Sequence, residues 1–476
     1  MITQIILAFF IYFGILLVIG VISHRKQTSN AEFIVGSRSL NFWLTALSAH
    51  ASDMSAWLFM ALPMVVYLQG LSGSWIAIGL LAGMFFNWQF VAAKLRSSTE
   101  AYDSYTLSSY FENRYEDASG TLRLITATMI IFFLTHYLAA GLTAMGLLLE
   151  SIFAINYYWG LTFSTLVIVG YTFGGGFVTI AWTDLFQALF LLGAIIVVPV
   201  VAFVSLIYQG PGLQSTTIEP EYLSLLGDLS LSSVMSAILS SLAWGLGYFG
   251  MPHILTKFMG IRNVNDMKKS KYVGMSWQML ALAASISVGI VGVFFFQEGL
   301  HNPELVFVEM VKRLFPPFFA GFILCGVIAA NLSTMDSQLL VCASAIGEDF
   351  FKHFGKRHTQ QQLVRASRVG VIFIAMTALF IAYYKEEAII DTILYSWAGL
   401  GSAFGPLVLT SLYDKRANKY GAIAGIVVGG TIACIWPPLN PLIFDYSIPS
   451  MIPGFFLGLL SIHFVSLATK EKNNIE

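Results

Sequence analysis

Runs of about 20 apolar residues, each long enough to cross a hydrocarbon core of roughly 30 Å, recur along almost the whole chain. They constrain the fold strongly, because lipid offers no partner to a backbone N–H or C=O. A single segment must satisfy its own groups, which means a helix. Counting the runs predicts about thirteen transmembrane helices, near residues 2–23, 42–68, 75–93, 124–152, 159–173, 180–207, 232–255, 272–296, 318–346, 369–384, 388–412, 417–436 and 448–468. The expected fold is an all-α polytopic membrane protein, with residues 1–476 as one transmembrane domain.

Composition narrows the alternatives. Only 11% of residues are charged, against roughly 25% in soluble domains. No basic block or acidic tail points to a nucleic-acid partner. Cys325, Cys342 and Cys434 all fall in apolar segments, so they read as core residues and no disulfide is expected. The opening stretch "MITQIILAFFIYFGILLVIGVIS" has no basic n-region and no small-residue cleavage site, and is expected to be a retained span.

Basic residues test the count. With the N-terminus outside, the inner loops and tail hold 22 of the 25 Lys and Arg residues, leaving Lys312, Arg313 and Lys385 outside. The inner groups are Arg25, Lys26 and Arg38; Lys94, Arg96, Arg114 and Arg123; Lys257, Arg262, Lys268, Lys269 and Lys271; Lys352, Lys356, Arg357, Arg365 and Arg368; Lys415, Arg416 and Lys419; and Lys470 and Lys472. This alternation implies an odd number of spans, N-terminus out and C-terminus in. The loops are too short to form a domain, so function is expected among the helices.

Three aspartates, Asp53, Asp184 and Asp336, lie within or at the edge of spans, where each costs about 2.5–3.5 kcal/mol. Lys and Arg are absent from the interiors of the predicted spans, so a bound cation is the expected compensation. Asp53 sits in a run of small residues. A second interruption, "WGLGYFGMPHIL" at 244–255, contains Gly245, Gly247, Gly250 and Pro252, which weaken a helix or remove a donor. A packing kink would explain either break alone. The broken spans, however, are the second and the seventh, and each opens a block of five. That pattern predicts two inverted repeats, 42–207 and 232–412, with an extra helix at 2–23 and two more at 417–468. A broken helix frees carbonyls that suit a cation and N–H groups that suit a carboxylate.

The stretches "FIVGSRSL", "TALSAHASDMSAWLFMALP", "GSWIAIGL", "YTFGGGFVTIAWTDLFQA", "WGLGYFGMPHILTKFM", "ANLSTMDSQLLVCASAIGED" and "YSWAGLGSAFGPLVL" resemble the sodium:solute symporters. Among these the bacterial sodium/proline symporters are the most similar. The resemblance implies Na+-coupled uptake of L-proline by alternating access. It assigns the shared Na+ to the carbonyls of Ala51, Met54 and Ala330 and the hydroxyls of Ser333 and Thr334. Ala330, Ser333 and Thr334 stand at i, i+3 and i+4, on one helix face; bonding of the two hydroxyls back to i−4 carbonyls is the plainer alternative. Asp53 and Arg38 are implied in coupling; for Asp53 the alternative is a structural role, accepting N–H bonds from unwound backbone. Ser55, Ala56, Trp57, Tyr137, Trp244 and Tyr248 are implied to line the substrate pocket, where aromatic faces would cover a pyrrolidine ring. Core packing would equally account for any one of these aromatics.

Departures from the family pattern are expected to matter. Ala56 stands where a glycine is usual, and its methyl group would narrow the pocket. His50 replaces a small residue and is expected to bond a carbonyl. Asp336, with Ser337 and Asp184, falls where some relatives hold a second Na+, so a second Na+ or a proton is expected there. His136, His253 and His463 have no metal-ligand spacing and receive no role. Another amino or carboxylic acid, pantothenate, a sugar or a sialic acid remain alternative substrates, and a transporter-like sensor an alternative class. No nucleophile, base and orienter occur together, so no enzyme is expected. Neither an organic cofactor nor an obligatory protein partner is indicated. The lipid bilayer expected is the bacterial cytoplasmic membrane.

Overall fold

The computed structural model describes residues 2–24, 29–208, 219–227, 230–354, 358–384, 389–444 and 446–470. Arg25, Lys26, Lys356, Arg357, Lys385 and Lys472, which the sequence places in loops or the tail, lie outside the described residues, as does residue 388 at the start of one predicted span. Regular structure among the described residues is helical. In the first half it comprises α1 (Ile2–Ser23), α2 (Asn30–Val35), α3 (Phe42–Asp53), α4 (Ala61–Gln69), α5 (Trp75–Phe86), α6 (Ala93–Ala101), α7 (Leu107–Arg114), α8 (Thr121–Phe153), α9 (Tyr157–Gly174) and α10 (Phe177–Tyr208). The second half comprises α11 (Leu231–Gly247), α12 (Pro252–Met259), α13 (Met267–Phe295), α14 (Val306–Leu314), α15 (Pro317–Ser344), α16 (Gln360–Tyr384), α17 (Ile389–Tyr413), α18 (Lys419–Ile443) and α19 (Met451–Lys470).

Eleven helical stretches among the described residues are long and apolar enough to cross a membrane. The predicted 42–68 segment is split: α3 stops at Asp53, and the chain beyond the break runs with the next predicted segment in one stretch, 56–101. The 18-residue α9 is helical but is not among the eleven. Cys325 and Cys342 are buried, Cys434 is partly so, and all three are free.

Two further features join the helices. The chain before α3 pairs with the chain after α12, where Leu40 N–H donates to Gly260 O at 3.1 Å and Arg262 N–H donates to Leu40 O at 2.8 Å. Arg123, expected in a loop, is buried on α8. It pairs with Glu112 of α7 at 2.9 Å and with Glu348 and Asp349 at 3.2 and 2.9 Å. The latter two belong to a wide π-helical turn, Ala345–Phe351, that continues α15. Arg123 also donates to Glu348 O at 3.1 Å.

Helices α5 and α11 meet backbone to backbone. Gly79 and Gly83 form a small-xxx-small pair that allows such an approach between membrane helices. A Cβ on Gly79 would fall 2.1 Å from Ser241 O, and one on Gly83 would fall 2.2 Å from Gly245 O. Gly83→Val is therefore expected to destabilise the protein by about 1–3 kcal/mol through overpacking, read as a lower thermal midpoint in detergent. Gly14→Val is the control, because no atom lies within 4 Å of its added Cβ, and it should leave the midpoint unchanged.

Candidate substrate and cation site

The first break begins where α3 ends. Met54 (φ −86°, ψ 77°) and Ser55 (φ −75°, ψ −163°) leave helical geometry before a short 3₁₀ turn over Ala56–Leu58. In a continuous helix Ser55 N–H would bond Ala51 O; here it bonds Asp53 O at 3.1 Å, so Ala51 O is released. Asp53 O also accepts the Trp57 indole N–H at 3.1 Å, and Leu58 O accepts Ser285 Oγ at 2.6 Å. Side chains thus replace water at the unwound turn, as a membrane interior requires.

The second break is built likewise. A 3₁₀ turn over Tyr248–Gly250 leads to extended Met251 (φ −84°, ψ 103°), and α12 restarts with Pro252 in its first turn, where a missing N–H is harmless. Tyr248 O accepts Asn87 Nδ2 at 3.0 Å, and Trp244 O accepts the Trp397 indole N–H at 3.1 Å. Asn87 opens a π-helical turn, Asn87–Ala92, between α5 and α6. Gly247 admits Trp397, whose Nε1 would lie 1.9 Å from a Cβ there.

One side-chain contact joins the breaks. Tyr248 Oη donates to Asp53 Oδ2, and Gln278 Nε2 donates to Tyr248 Oη at 3.0 Å. Asp53 therefore accepts from a phenol of the second break, in place of the backbone N–H groups that the alternative structural role would supply. Its Oδ1 has no hydrogen-bond partner among the described residues. Around this contact the aromatics expected in the pocket are packed, with exposures of 3% for Trp57, 2% for Tyr137, 5% for Trp244 and 0% for Tyr248. Trp57 lies 6.5 Å from Trp244, Trp244 lies 5.9 Å from Trp397, and Tyr248 meets Trp397 edge-on at 5.1 Å. Tyr137 packs edge-on to His253 at 6.0 Å. Ser55 and Ala56 are buried at the turn beside Trp57.

Oxygens converge where α3 meets α15. Ser333 Oγ lies 2.9 Å from Ala51 O, 2.9 Å from Ala329 O and 3.0 Å from Ala330 O. Thr334 Oγ1 lies 3.3 Å from Ala51 O and 3.1 Å from Ala330 O. Two hydroxyl protons thus serve three carbonyls, an excess of lone pairs that suits a hard monovalent cation. Both hydroxyls also reach i−4 carbonyls, the plainer role, but the Ala51 contact crosses between helices. Met54 O accepts neither hydroxyl; Met54 is buried as the residue that caps α3.

Asp184 corrects another expectation. Lys257, expected in an inner loop, is buried on α12, and its Nζ donates to Asp184 Oδ2 at 3.0 Å. The same oxygen accepts Ser48 Oγ at 2.5 Å. Ser337 Oγ lies 3.4 Å from Asp336 Oδ1 and 2.9 Å from Ser52 Oγ. The acidic pair therefore does have a basic neighbour. The cue lies in the sequence: Pro252 starts a helix, and a helix starting there carries Lys257 back into the protein.

Other residues differ in detail. His50 accepts the Trp88 indole N–H at 3.2 Å, not a carbonyl partner, and sits 6.0–6.1 Å from the Trp88 and Trp277 rings. Arg38, with its backbone left-handed at φ 56°, donates to Thr99 O and Ser104 O at 2.9 and 3.0 Å. It thus holds the loop after α6, away from the breaks. Sequence reasoning gives no role to Asn87, Gln278, Trp397, Ser48 or Ser52. Trp397 alone has a visible cue, an aromatic in a glycine-rich stretch.

Comparison with known proteins identifies the family. The family model of the sodium:solute symporters matches residues 33–429. The high-affinity proline transporter of Bacillus subtilis is 38% identical over 461 residues, 96% of each chain. The sodium/proline symporter of Haemophilus influenzae is 40% identical over 479 residues, 98% of this chain and 95% of that one. Among solved structures, a Na+-coupled sialic acid symporter in a substrate-bound outward-open state has a TM-score of 0.79 at 16% identity, covering 98% of both chains, which is a likeness of fold. The chain is a multi-pass membrane transporter and belongs to the sodium:solute symporter family.

Proposed function

We propose that this protein is a secondary active symporter that carries L-proline into the cell with Na+, by alternating access, in the bacterial cytoplasmic membrane. The observation that carries the reading is the meeting of the two broken helices. The oxygens of Ala51, Ala330, Ser333 and Thr334 face the first break, and Trp57, Tyr137, Trp244 and Tyr248 surround the Asp53–Tyr248 contact. The names of the relatives supply proline as the substrate. Na+ is held by these four residues, with Met54 O joining when the turn after α3 adjusts. Ser55 and Ala56 orient the ionised ends of the substrate, and the aromatic faces cover its ring. Asp53 couples the two ligands because it connects one break to the other, and Arg38 acts from the inner loop.

The proposed topology has thirteen spans, N-terminus out and C-terminus in. Repeats 42–207 and 232–412 are inverted within a single domain, 1–476, with 2–23 and 417–468 added. The lopsided distribution of Lys and Arg supports the orientation, and breaks in the second and seventh segments support the repeats. One Na+ entering across 100 mV supplies about 2.3 kcal/mol, enough for roughly 50-fold accumulation of a zwitterion from voltage alone.

In proteoliposomes containing the purified protein, labelled L-proline uptake is expected under an inward Na+ gradient and not under K+. Asp53→Asn should reduce the Na+-driven rate more than about tenfold, a loss above 1.4 kcal/mol. Equal uptake in K+ would refute sodium coupling, and uptake of a different solute alone would reassign the substrate. Ser333→Ala and Thr334→Ala should each raise the half-saturating Na+ concentration by about tenfold while keeping proline affinity at saturating Na+; an unchanged Na+ dependence would remove both hydroxyls from the cation site.

A further inference from the structure

Asp184, Asp336 and Ser337 are the residues expected to take a second Na+ or a proton, yet the cluster already faces a cation of the chain's own. Lys257 Nζ is 3.0 Å from Asp184 Oδ2, and the two side chains are 2% and 0% exposed. The same Nζ lies over the Phe177 ring, 5.2 Å from its centroid, a favourable face for a cation. The ammonium is therefore in reach of both a carboxylate and an aromatic.

We propose that the Lys257 ammonium is a tethered cation standing in the second cation position, so that the protein moves one Na+ with each substrate molecule. The proposal rests on the Na+ symport reading of the two broken helices. Three arguments carry it. A Na+ on Asp184 Oδ2 would share that oxygen with the ammonium, and two like charges so close in a buried place repel. Ser48 Oγ donates to the same oxygen at 2.5 Å, so Oδ2 already has two donors. Finally, the contact spans the elements a bound ion would have to join: Ser48 on α3, Asp184 on α10 and Lys257 on α12. The ammonium makes that bridge by a covalent tether.

The surroundings also say what happens when the tether is cut. Asp184 Oδ1, Asp336 Oδ2 and both amide atoms of Gln187 are buried without hydrogen-bond partners among the described residues. Ser52 Oγ and Ser337 Oγ stand 2.9 Å apart beside them. With the ammonium gone, Asp184, Asp336, Ser48 and Ser337 would present a set of hard oxygen ligands suited to a small monovalent cation. Lys257→Gln should therefore gain a Na+ site.

Equilibrium binding of radioactive Na+ to the purified full-length protein, without substrate, tests this directly. One Na+ per chain is expected for wild type, two for Lys257→Gln, and one for Asp184→Asn/Lys257→Gln, in which both charges are gone. Two ions bound to wild type would overturn the proposal, as would one ion bound to a folded Lys257→Gln. If Lys257→Gln fails to fold, the wild-type count still decides. Transport supplies the second readout. With a tenfold inward Na+ gradient and the voltage clamped to zero, wild-type flux should stop at an about tenfold opposing proline gradient, and Lys257→Gln flux at about hundredfold. Absence of proline flux combined with one bound Na+ would count against the substrate reading and leave the Lys257 assignment standing.

Discussion

A helix interrupted inside hydrocarbon leaves backbone groups that no water can satisfy, and much of this structure answers that constraint. At the first break the Trp57 indole and Ser285 cover released carbonyls. At the second, Asn87 and Trp397 do so. Ala51 O differs: its helical donor has turned to Asp53 O, and two hydroxyls of α15 that face it must also serve their own helix. The proposed cation site lies where backbone satisfaction is incomplete.

The Asp53–Tyr248 contact gives this arrangement its connectivity. It links the end of α3 to the turn after α11, and Gln278 of α13 fixes the phenol from behind. Asp53 is at once the last residue of α3 before the unwound region and a group whose second oxygen remains uncommitted. Such a residue responds to changes at either break.

Some of this is legible in the sequence, and the rest is hidden for identifiable reasons. Glycines and a proline expose the break near Tyr248, and a cluster of small polar residues exposes the one near Asp53, because both act through local backbone preference. The residues that satisfy the breaks, Asn87, Gln278 and Trp397, come from distant helices and carry no local signature. Lys257 falls outside the predicted span because the hydropathy run ends at Leu255, although Pro252 opens a helix that continues to Met259. Arg123 is hidden likewise: its partners Glu112, Glu348 and Asp349 meet only in three dimensions. Two changes lower the count of continuous spans among the described residues to eleven: the second predicted segment is split, since a hydropathy window averages across a break that dihedral angles resolve, and the 18-residue α9 is not among them.

The seam between α5 and α11 bears on where movement can occur. Glycines there bring backbone against backbone, with a Cβ on Gly245 falling 2.7 Å from Gly79 O. Side chains that could change rotamer and absorb a tilt are missing between the two helices at these points. The seam therefore acts as a stiff strut, and α11 cannot lean without carrying α5. In the proposed transport cycle, bending would be displaced to the end of α11, at the turn from Tyr248 to Met251, so the hinge and the aromatics proposed to face the substrate would occupy the same few residues.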